Sequence, residues 1–186
     1  MGKIFFITGN EDKKREMSGI LADVGIELDF VKVDLPELQG TPEYVCREKA
    51  KLAFERIREP CFVDDTCLEF NAHKGLPGVY IKWFLDNMGL VGLNRMLADF
   101  EDKGATAVCT IGLALSAGDV HTFRGATTGF IVPPRGSTDF GWDAVFEEEV
   151  SGKTYGEMGS EDRNECSHRG KAYEMLRNFL LGGKNG

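Results

Sequence analysis

Cys61-Phe62-Val63-Asp64-Asp65-Thr66-Cys67-Leu68-Glu69-Phe70-Asn71 is the stretch around which the chain is organised. A short apolar run stops at two adjacent carboxylates, after which the chain is expected to turn. An apolar segment this short, bounded by acids, suits a buried strand over 61–65 whose carboxyl end opens into a crevice. Two carboxylates at such a point are costly unless paired, hydrogen-bonded or bound to a cation. The ordinary fate of an Asp-Asp pair is a solvated turn, so a site here requires matching groups elsewhere in the chain.

Upstream, residues 3–8 read as a buried strand and Gly9-Asn10 as a turn. Residues 11–24 follow as a helix with Met17, Ile20, Leu21 and Val24 on one apolar face, ended by Gly25. The alternation over 26–33 gives a second strand, and a β-α-β opening implies a parallel pair with a right-handed crossover. After a loop from Asp34 to Gly40, Thr41 is the N-cap and Pro42 the first residue of a helix with the stripe Cys46, Ala50, Ala53, Phe54 and Ile57. Pro60 closes that helix and returns the chain to the strand at 61–65.

Downstream, Gly75-Leu76-Pro77-Gly78 is a loop, followed by helical stretches near 80–87 and 90–100. Residues 105–116 and 119–128 flank a Ser116-Ala117-Gly118-Asp119 turn as a hairpin, with the second strand continuing over 129–132. Pro133-Pro134-Arg135-Gly136 is a rigid turn. Ser160 is the N-cap candidate of a last helix that buries Ala172, Met175, Leu176, Phe179 and Leu180 and ends at Gly182-Gly183. There is no repeat, low-complexity linker or clean domain boundary. The expectation is an α/β protein in a single domain, 1–186: a mixed sheet with flanking helices, a β-rich lobe roughly at 105–150, and a cleft between the lobes.

Composition bounds the function. With 22 basic and 30 acidic residues the formal charge is −8, so a global basic footprint for nucleic acid is absent. An acidic protein that binds a polyphosphate needs local lysines or a metal ion. Five cysteines without a C-x-x-C pair argue against a zinc site or redox dithiol and for reduced thiols. No signal peptide, myristoylation pattern or transmembrane stretch is legible. A cytoplasmic protein with neither a nucleic-acid nor a membrane partner is the expectation.

Five constellations could carry chemistry. In Thr8-Gly9-Asn10-Glu11-Asp12-Lys13 a strand, a turn and a helix start with a first-turn lysine make a potential anion site, although the pattern is neither a P-loop nor a dinucleotide fingerprint. Glu37, paired in space with Asp65, would offer oxygen ligands to a hard cation such as Mg²⁺. Lys49 lies off its helix's apolar stripe; a solvated lysine is the default, and spacing alone does not separate it from Lys51. Lys82 is equally ordinary by itself. Phe140-Gly141-Trp142-Asp143 could sandwich a planar base, with Asp143 accepting from ring N–H groups, or could be a loop anchored in the core. Ser167-His168-Arg169, with Arg163 sharing a helix face with Ser167, offers donors to a carbonyl or is a solvated basic face. A phosphoaspartate enzyme is excluded because the D-x-D-x-T spacing fails at both Asp64 and Asp65. A serine or cysteine nucleophile has no local signature.

Taken together, Thr8-Gly9-Asn10-x-x-Lys13-x-x-Glu16, Asp64-Asp65-Thr66-Cys67-Leu68, Gly75-Leu76-Pro77-Gly78-x-Tyr80-Ile81-Lys82-Trp83-Phe84, Phe140-Gly141-Trp142-Asp143 and Ser167-His168-Arg169 resemble the inosine triphosphate pyrophosphatases. These are the Ham1-type enzymes acting on noncanonical purine nucleoside triphosphates, and the chain is similar to their eukaryotic branch. The motifs fall in the family's order over essentially the whole chain. The resemblance implies an elongated α/β fold of two lobes and a deep central cleft, ITPase/Maf-like, in a homodimer. It implies Mg²⁺-dependent hydrolysis (Mn²⁺ a substitute) of ITP, dITP and XTP to the monophosphate and pyrophosphate. By resemblance, Thr8, Gly9, Asn10, Lys13 and Lys49 contact phosphate. Glu37 and Asp65 hold metal, and Asp65 is the catalytic acid/base. Thr66 and Lys82 contact substrate, Phe140, Gly141, Trp142 and Asp143 receive the base, and His168 with Arg169 selects it. Arg163 stands where the family commonly has lysine, which changes donor geometry. A Maf-type modified-nucleotide pyrophosphatase and a non-catalytic nucleotide-binding protein are the alternatives.

Overall fold

The computed structural model describes residues 2–21 and 24–182, without the side chains of Asp12, Glu16, Gly19 and Ile20. Gly183, expected to help end the last helix, and the motif side chain Glu16 therefore lie outside the described residues, as does Ile20 of the first apolar face.

The elements, in chain order, are β1 Lys3–Ile7, α1 Glu11–Ile20, β2 Glu27–Val31, α2 Pro42–Ile57, β3 Cys61–Phe70, β4 Pro77–Gly78, α3 Ile81–Arg95, β5 Gly104–Ala114, β6 Val120–Ile131, β7 Phe146–Glu148, α4 Ser160–Cys166 and α5 His168–Leu180. Seven strands form one mixed sheet of order β2-β1-β3-β5-β6-β7, with β4 paired to β3. The chain divides into two compact units, one of Met1–Asp65, Cys109–Gly125 and Arg169–Gly186, the other of Thr66–Val108 and Ala126–His168.

In the first unit β1 pairs in parallel with β2 and with β3, the arrangement a β-α-β opening requires. Alternation along the strands sends residues to two faces. Phe6 and Phe62 stack at 4.6 Å and join Ile4, Cys109, Ile111 and Leu113 under Met17 and the α5 residues Ala172, Tyr173 and Leu176. Ile7, Cys61, Val63 and Ala114 take the other face, under Cys46, Ala50 and Ala53 of α2. Thr41 caps α2 through its hydroxyl, which accepts from the Tyr44 amide at 3.3 Å, and Pro42 opens the helix as expected. Helix and sheet meet closely at Gly112, where a Cβ would lie 2.4 Å from the Cys46 carbonyl oxygen. Gly112→Ala must push α2 off the sheet, so we expect a loss of about 2–3 kcal/mol, read as a lowered denaturant midpoint; an unchanged midpoint would contradict this packing.

The second unit is built on Leu68, Phe70, Leu93, Leu97, Ala105, Ala107, Trp142, Phe146 and Tyr155. The two helical stretches expected near 80–100 form α3, divided by the left-handed Gly89 (φ 66°). The second ends at Arg95, earlier than expected.

Three expectations are corrected. The strand at 61–65 does not stop at the acids but continues to Phe70, because Cys67, Leu68 and Phe70 are buried in turn. Ser160 is the first residue of α4, and its N-cap is Gly159. The last helix is two helices. Ser167 between them is extended (φ −73°, ψ 152°), so it does not share a helical face with Arg163. This break also rephases α5, leaving Met175 47% exposed and burying Tyr173 fully.

Candidate active site

Strand alternation decides where the two adjacent aspartates go. Asp64 lies on the face of Phe62, towards α1 and α5, and Asp65 on the face of Val63, towards α2. The contacts follow that parity. Asp64, its side chain 1% exposed, accepts from Lys13 Nζ at 2.7 Å through Oδ1 and from the Tyr173 hydroxyl at 3.0 Å through Oδ2, with Arg169 Nε 3.7 Å from Oδ2. Lys13 Nζ also donates to the Asp64 carbonyl at 3.3 Å. A carboxylate this buried is tolerable only with such partners. The hydroxyl of Tyr173 keeps its proton, since burial first and the Asp64 charge second hold its pKa well above the usual tyrosine value.

Asp65 is 26% exposed and faces Lys49, whose Nζ donates to Asp65 Oδ2 at 3.1 Å and to Glu37 Oε2 at 2.7 Å. Burial works against the Lys49 ammonium, but Asp65 and Glu37 more than offset it, and its pKa is raised. Lys51, which spacing could not separate from Lys49, instead pairs with Glu48 one turn back at 2.6 Å. Among the described residues, no cluster of three or more His, Cys, Asp or Glu gathers at one point. Glu37 and Asp65 already share one cation, the Lys49 ammonium. As an all-oxygen pair they fit a hard divalent ion that keeps waters and takes further ligands from a substrate.

The β1–α1 turn carries the remaining phosphate candidates. Asn10 caps α1, its Oδ1 accepting from the Lys13 amide at 3.2 Å, while its own amide donates to Thr8 Oγ1 at 3.1 Å. Gly9 and Asn10 are exposed and Thr8 is half-buried.

The second unit holds the base-loop candidates. Gly141 adopts φ 52°, a left-handed conformation that favours glycine, and the Asp143 amide closes the turn on the Phe140 carbonyl at 3.1 Å. Trp142 is buried: its ring stacks on His168 at 5.4 Å and meets Phe146 edge-on. His168 also stacks on Tyr155 at 5.7 Å, whose hydroxyl lies 3.5 Å from Nδ1 and is held protonated, its pKa pushed up chiefly by burial. Phe140 is half-buried under the Arg163 guanidinium at 5.4 Å, and Arg163 Nη1 donates to Asp143 Oδ2 at 2.7 Å. Arg163 thus makes a part-buried ion pair with the acid of the Phe140–Asp143 loop. His168 and Arg169, adjacent in sequence, are both buried but belong to different units. Thr66, half-buried on β3, and Lys82, exposed in the first turn of α3, complete the set within the second unit.

Sequence reading missed Tyr173 and Tyr155. Tyr173 was hidden because the apolar stripe was phased through Met175; the set Tyr173, Leu176 and Leu180 also fits helical spacing. Tyr155 sits in a 3-10 turn too short to carry a period.

Fold and side chains define an α/β protein whose adjacent carboxylates at mid-strand of β3 are each paired with a lysine. The chain belongs to the Ham1 family, whose model matches residues 4–179. It is 54% identical over 180 residues to an inosine triphosphate pyrophosphatase of Yarrowia lipolytica, covering 95% of each chain. It is 51% identical over 178 residues to one of Tuber melanosporum, covering 95% of this chain and 96% of that one. Among solved structures it superposes on a HAM1 protein from Coxiella burnetii with a TM-score of 0.87 at 28% identity, covering 97% of this chain and 98% of that one.

Proposed function

We propose that this protein hydrolyses the noncanonical purine nucleoside triphosphates ITP, dITP and XTP to the nucleoside monophosphate and pyrophosphate. The observation that carries this reading is near-full-length identity of about half to inosine triphosphate pyrophosphatases. The lysine–carboxylate pairs Lys13–Asp64 and Lys49–Asp65 supply matching chemistry. Family membership favours it over a Maf-type activity.

Enzymes of this family generally depend on a divalent metal. Glu37 and Asp65 are the residues that would hold it. The ion, Mg²⁺ with Mn²⁺ as substitute, supplies charge neutralisation on the phosphates when bound. Asp65 orients a water and takes its proton as that water attacks the α-phosphorus in line, with pyrophosphate leaving opposite. Lys13 and Lys49, with the Thr8–Asn10 turn, hold the phosphates and offset charge on the transferred and departing groups. Positioning and electrostatics of this kind carry most of the rate in phosphoryl transfer. Thr66 and Lys82 add substrate contacts.

Base recognition falls to the loop Phe140–Asp143, braced by Arg163, and to His168 with Arg169. Phe140 and Gly141 offer the accessible surface of the loop, and Trp142 holds it against His168. Hypoxanthine and xanthine carry an acceptor oxygen at the 6-position, where adenine carries a donor amine that would oppose the protein's donors. The reading extends to one catalytic domain over 1–186, a homodimer and a cytoplasmic location. No described helix is long and apolar enough to cross a membrane.

Pyrophosphate release from ITP, XTP, GTP and ATP tests the reading: ITP and XTP should exceed ATP by orders of magnitude in kcat/KM, and equal turnover of all four would refute it. Arg169→Ala should narrow the ITP-to-ATP ratio by about tenfold or more. An unchanged ratio would remove Arg169 from base selection and leave it as a partner of Asp64.

A further inference from the structure

The Asp64 carboxylate takes hydrogen bonds from two donors, Lys13 of α1 and Tyr173 of α5, and an ion pair from Arg169 of α5, and the division of its oxygens is specific. Oδ1 goes to Lys13 at 2.7 Å and Oδ2 to the Tyr173 hydroxyl at 3.0 Å, with Arg169 Nε further off at 3.7 Å from the same oxygen. The Tyr173 ring is fully buried, packed in the cluster that contains Phe62, Ile111 and Leu176, so its hydroxyl is a fixed point. Lys13 is the opposite case: a long side chain on the first turns of α1 with several rotamers to lose. Two of its contacts, to Asp64 Oδ1 and to the Asp64 carbonyl, hold its ammonium beside β3. Without the phenol, the nearby Arg169 guanidinium is positioned to draw the carboxylate into a two-pronged pair, for which Arg geometry is well suited. Such a pair would occupy both oxygens and turn Oδ1 away from Lys13.

We propose that Tyr173 is a positioning residue: its hydroxyl fixes the Asp64 carboxylate, and Asp64 in turn presents the Lys13 ammonium to the substrate's phosphates. The proposal rests on the reading above that Lys13 contacts a polyphosphate. It assigns the two acids of the pair different tasks, Asp65 at the reacting water and Asp64 behind a lysine.

The test is a double-mutant cycle in the full-length protein with Mg²⁺ present, combining Tyr173→Phe with Lys13→Ala. It is read twice, as kcat/KM for ITP and as the Kd for inorganic tripolyphosphate by calorimetry. Tyr173→Phe alone should lower kcat/KM and weaken tripolyphosphate binding by about tenfold, the size of one hydrogen bond to a charged group. In the Lys13→Ala background the same change should alter either by no more than about twofold, because the residue through which it acts is gone. A merely structural role predicts the same tenfold loss in both backgrounds, and that result would overturn the proposal. Should Tyr173→Phe unfold the protein, Asp64→Asn in the same cycle keeps the test: non-additivity with Lys13→Ala is expected, and additivity refutes it. The two readouts separate this proposal from the reaction itself. A wild type that binds tripolyphosphate with a non-additive cycle but leaves ITP intact refutes the hydrolysis and keeps the clamp. Active wild type with additive losses does the reverse, and a protein that neither binds tripolyphosphate nor cleaves ITP refutes both.

Discussion

Asp65→Asn should lower kcat for ITP by about 10²–10⁴, the range that loss of a general base gives. Asparagine is nearly isosteric and retains an oxygen able to accept from Lys49 Nζ, which in the wild type lies 3.1 Å from Asp65 Oδ2. The substitution therefore removes basicity and one charge while sparing the packing around β3. Asp65 is also partly exposed, unlike Asp64, so its replacement leaves no deeply buried cation uncompensated. Steady-state kinetics on protein of unchanged melting temperature checks this. Near wild-type turnover would take Asp65 out of the chemistry.

Lys49→Ala should be almost as damaging, lowering kcat/KM for ITP by about 10²–10³, the scale on which one aligned electrostatic group acts in a transition state. The ammonium lies between Glu37 and Asp65, 2.7 Å and 3.1 Å away, and its removal leaves two carboxylates facing each other across a gap. Lys49→Arg should rescue only partly, since a planar fork does not replace a compact ammonium at a shared point. The pH dependence follows from the raised pKa of Lys49. A group held above its unfolded value contributes stability that is fully present below that value and lost as pH rises through the folded one. The stability difference between wild type and Lys49→Ala should therefore be constant from pH 6 to 9 and shrink above about pH 10.5. Urea titrations at several pH values measure it; a difference that shrinks between pH 6 and 9 would contradict the assignment.

Much of the fold is legible in the sequence because its signals are local. The β-α-β opening, the Thr41-Pro42 start of α2, the stripe Cys46, Ala50 and Ala53, and the 116–119 turn between β5 and β6 all rest on periodicity or cap chemistry within a few residues. What was misread depends on partners remote in the chain. β3 runs on to Phe70 because Cys67, Leu68 and Phe70 are buried, and it can carry two acids at mid-strand because Lys13 and Lys49 from two helices neutralise them, which no strand pattern announces. The break at Ser167 leaves no glycine or proline mark at that position, yet it moves His168 and Arg169 into burial and turns Tyr173 rather than Met175 inward.

The candidate site divides in the same way. Motif order pointed to Lys13, Asp65 and the Phe140–Asp143 loop, while Glu37 and Lys49 came only with the resemblance; the family model spans residues 4–179. The separate environments of Asp64 and Asp65 come from the two-residue period of a strand with helices on both faces. That period was readable at 61–65, but which helix lay on which face was not. Arg163 shows the same limit: its departure from lysine was visible, while its ion pair with Asp143 at 2.7 Å required the fold.

The most direct test of the central claim, attack of water on the α-phosphorus with pyrophosphate as leaving group, is hydrolysis of ITP in ¹⁸O-labelled water followed by mass spectrometry of both products. The account predicts one labelled oxygen in the inosine monophosphate and none in the pyrophosphate. Label in the pyrophosphate, or formation of the diphosphate and inorganic phosphate, would contradict it.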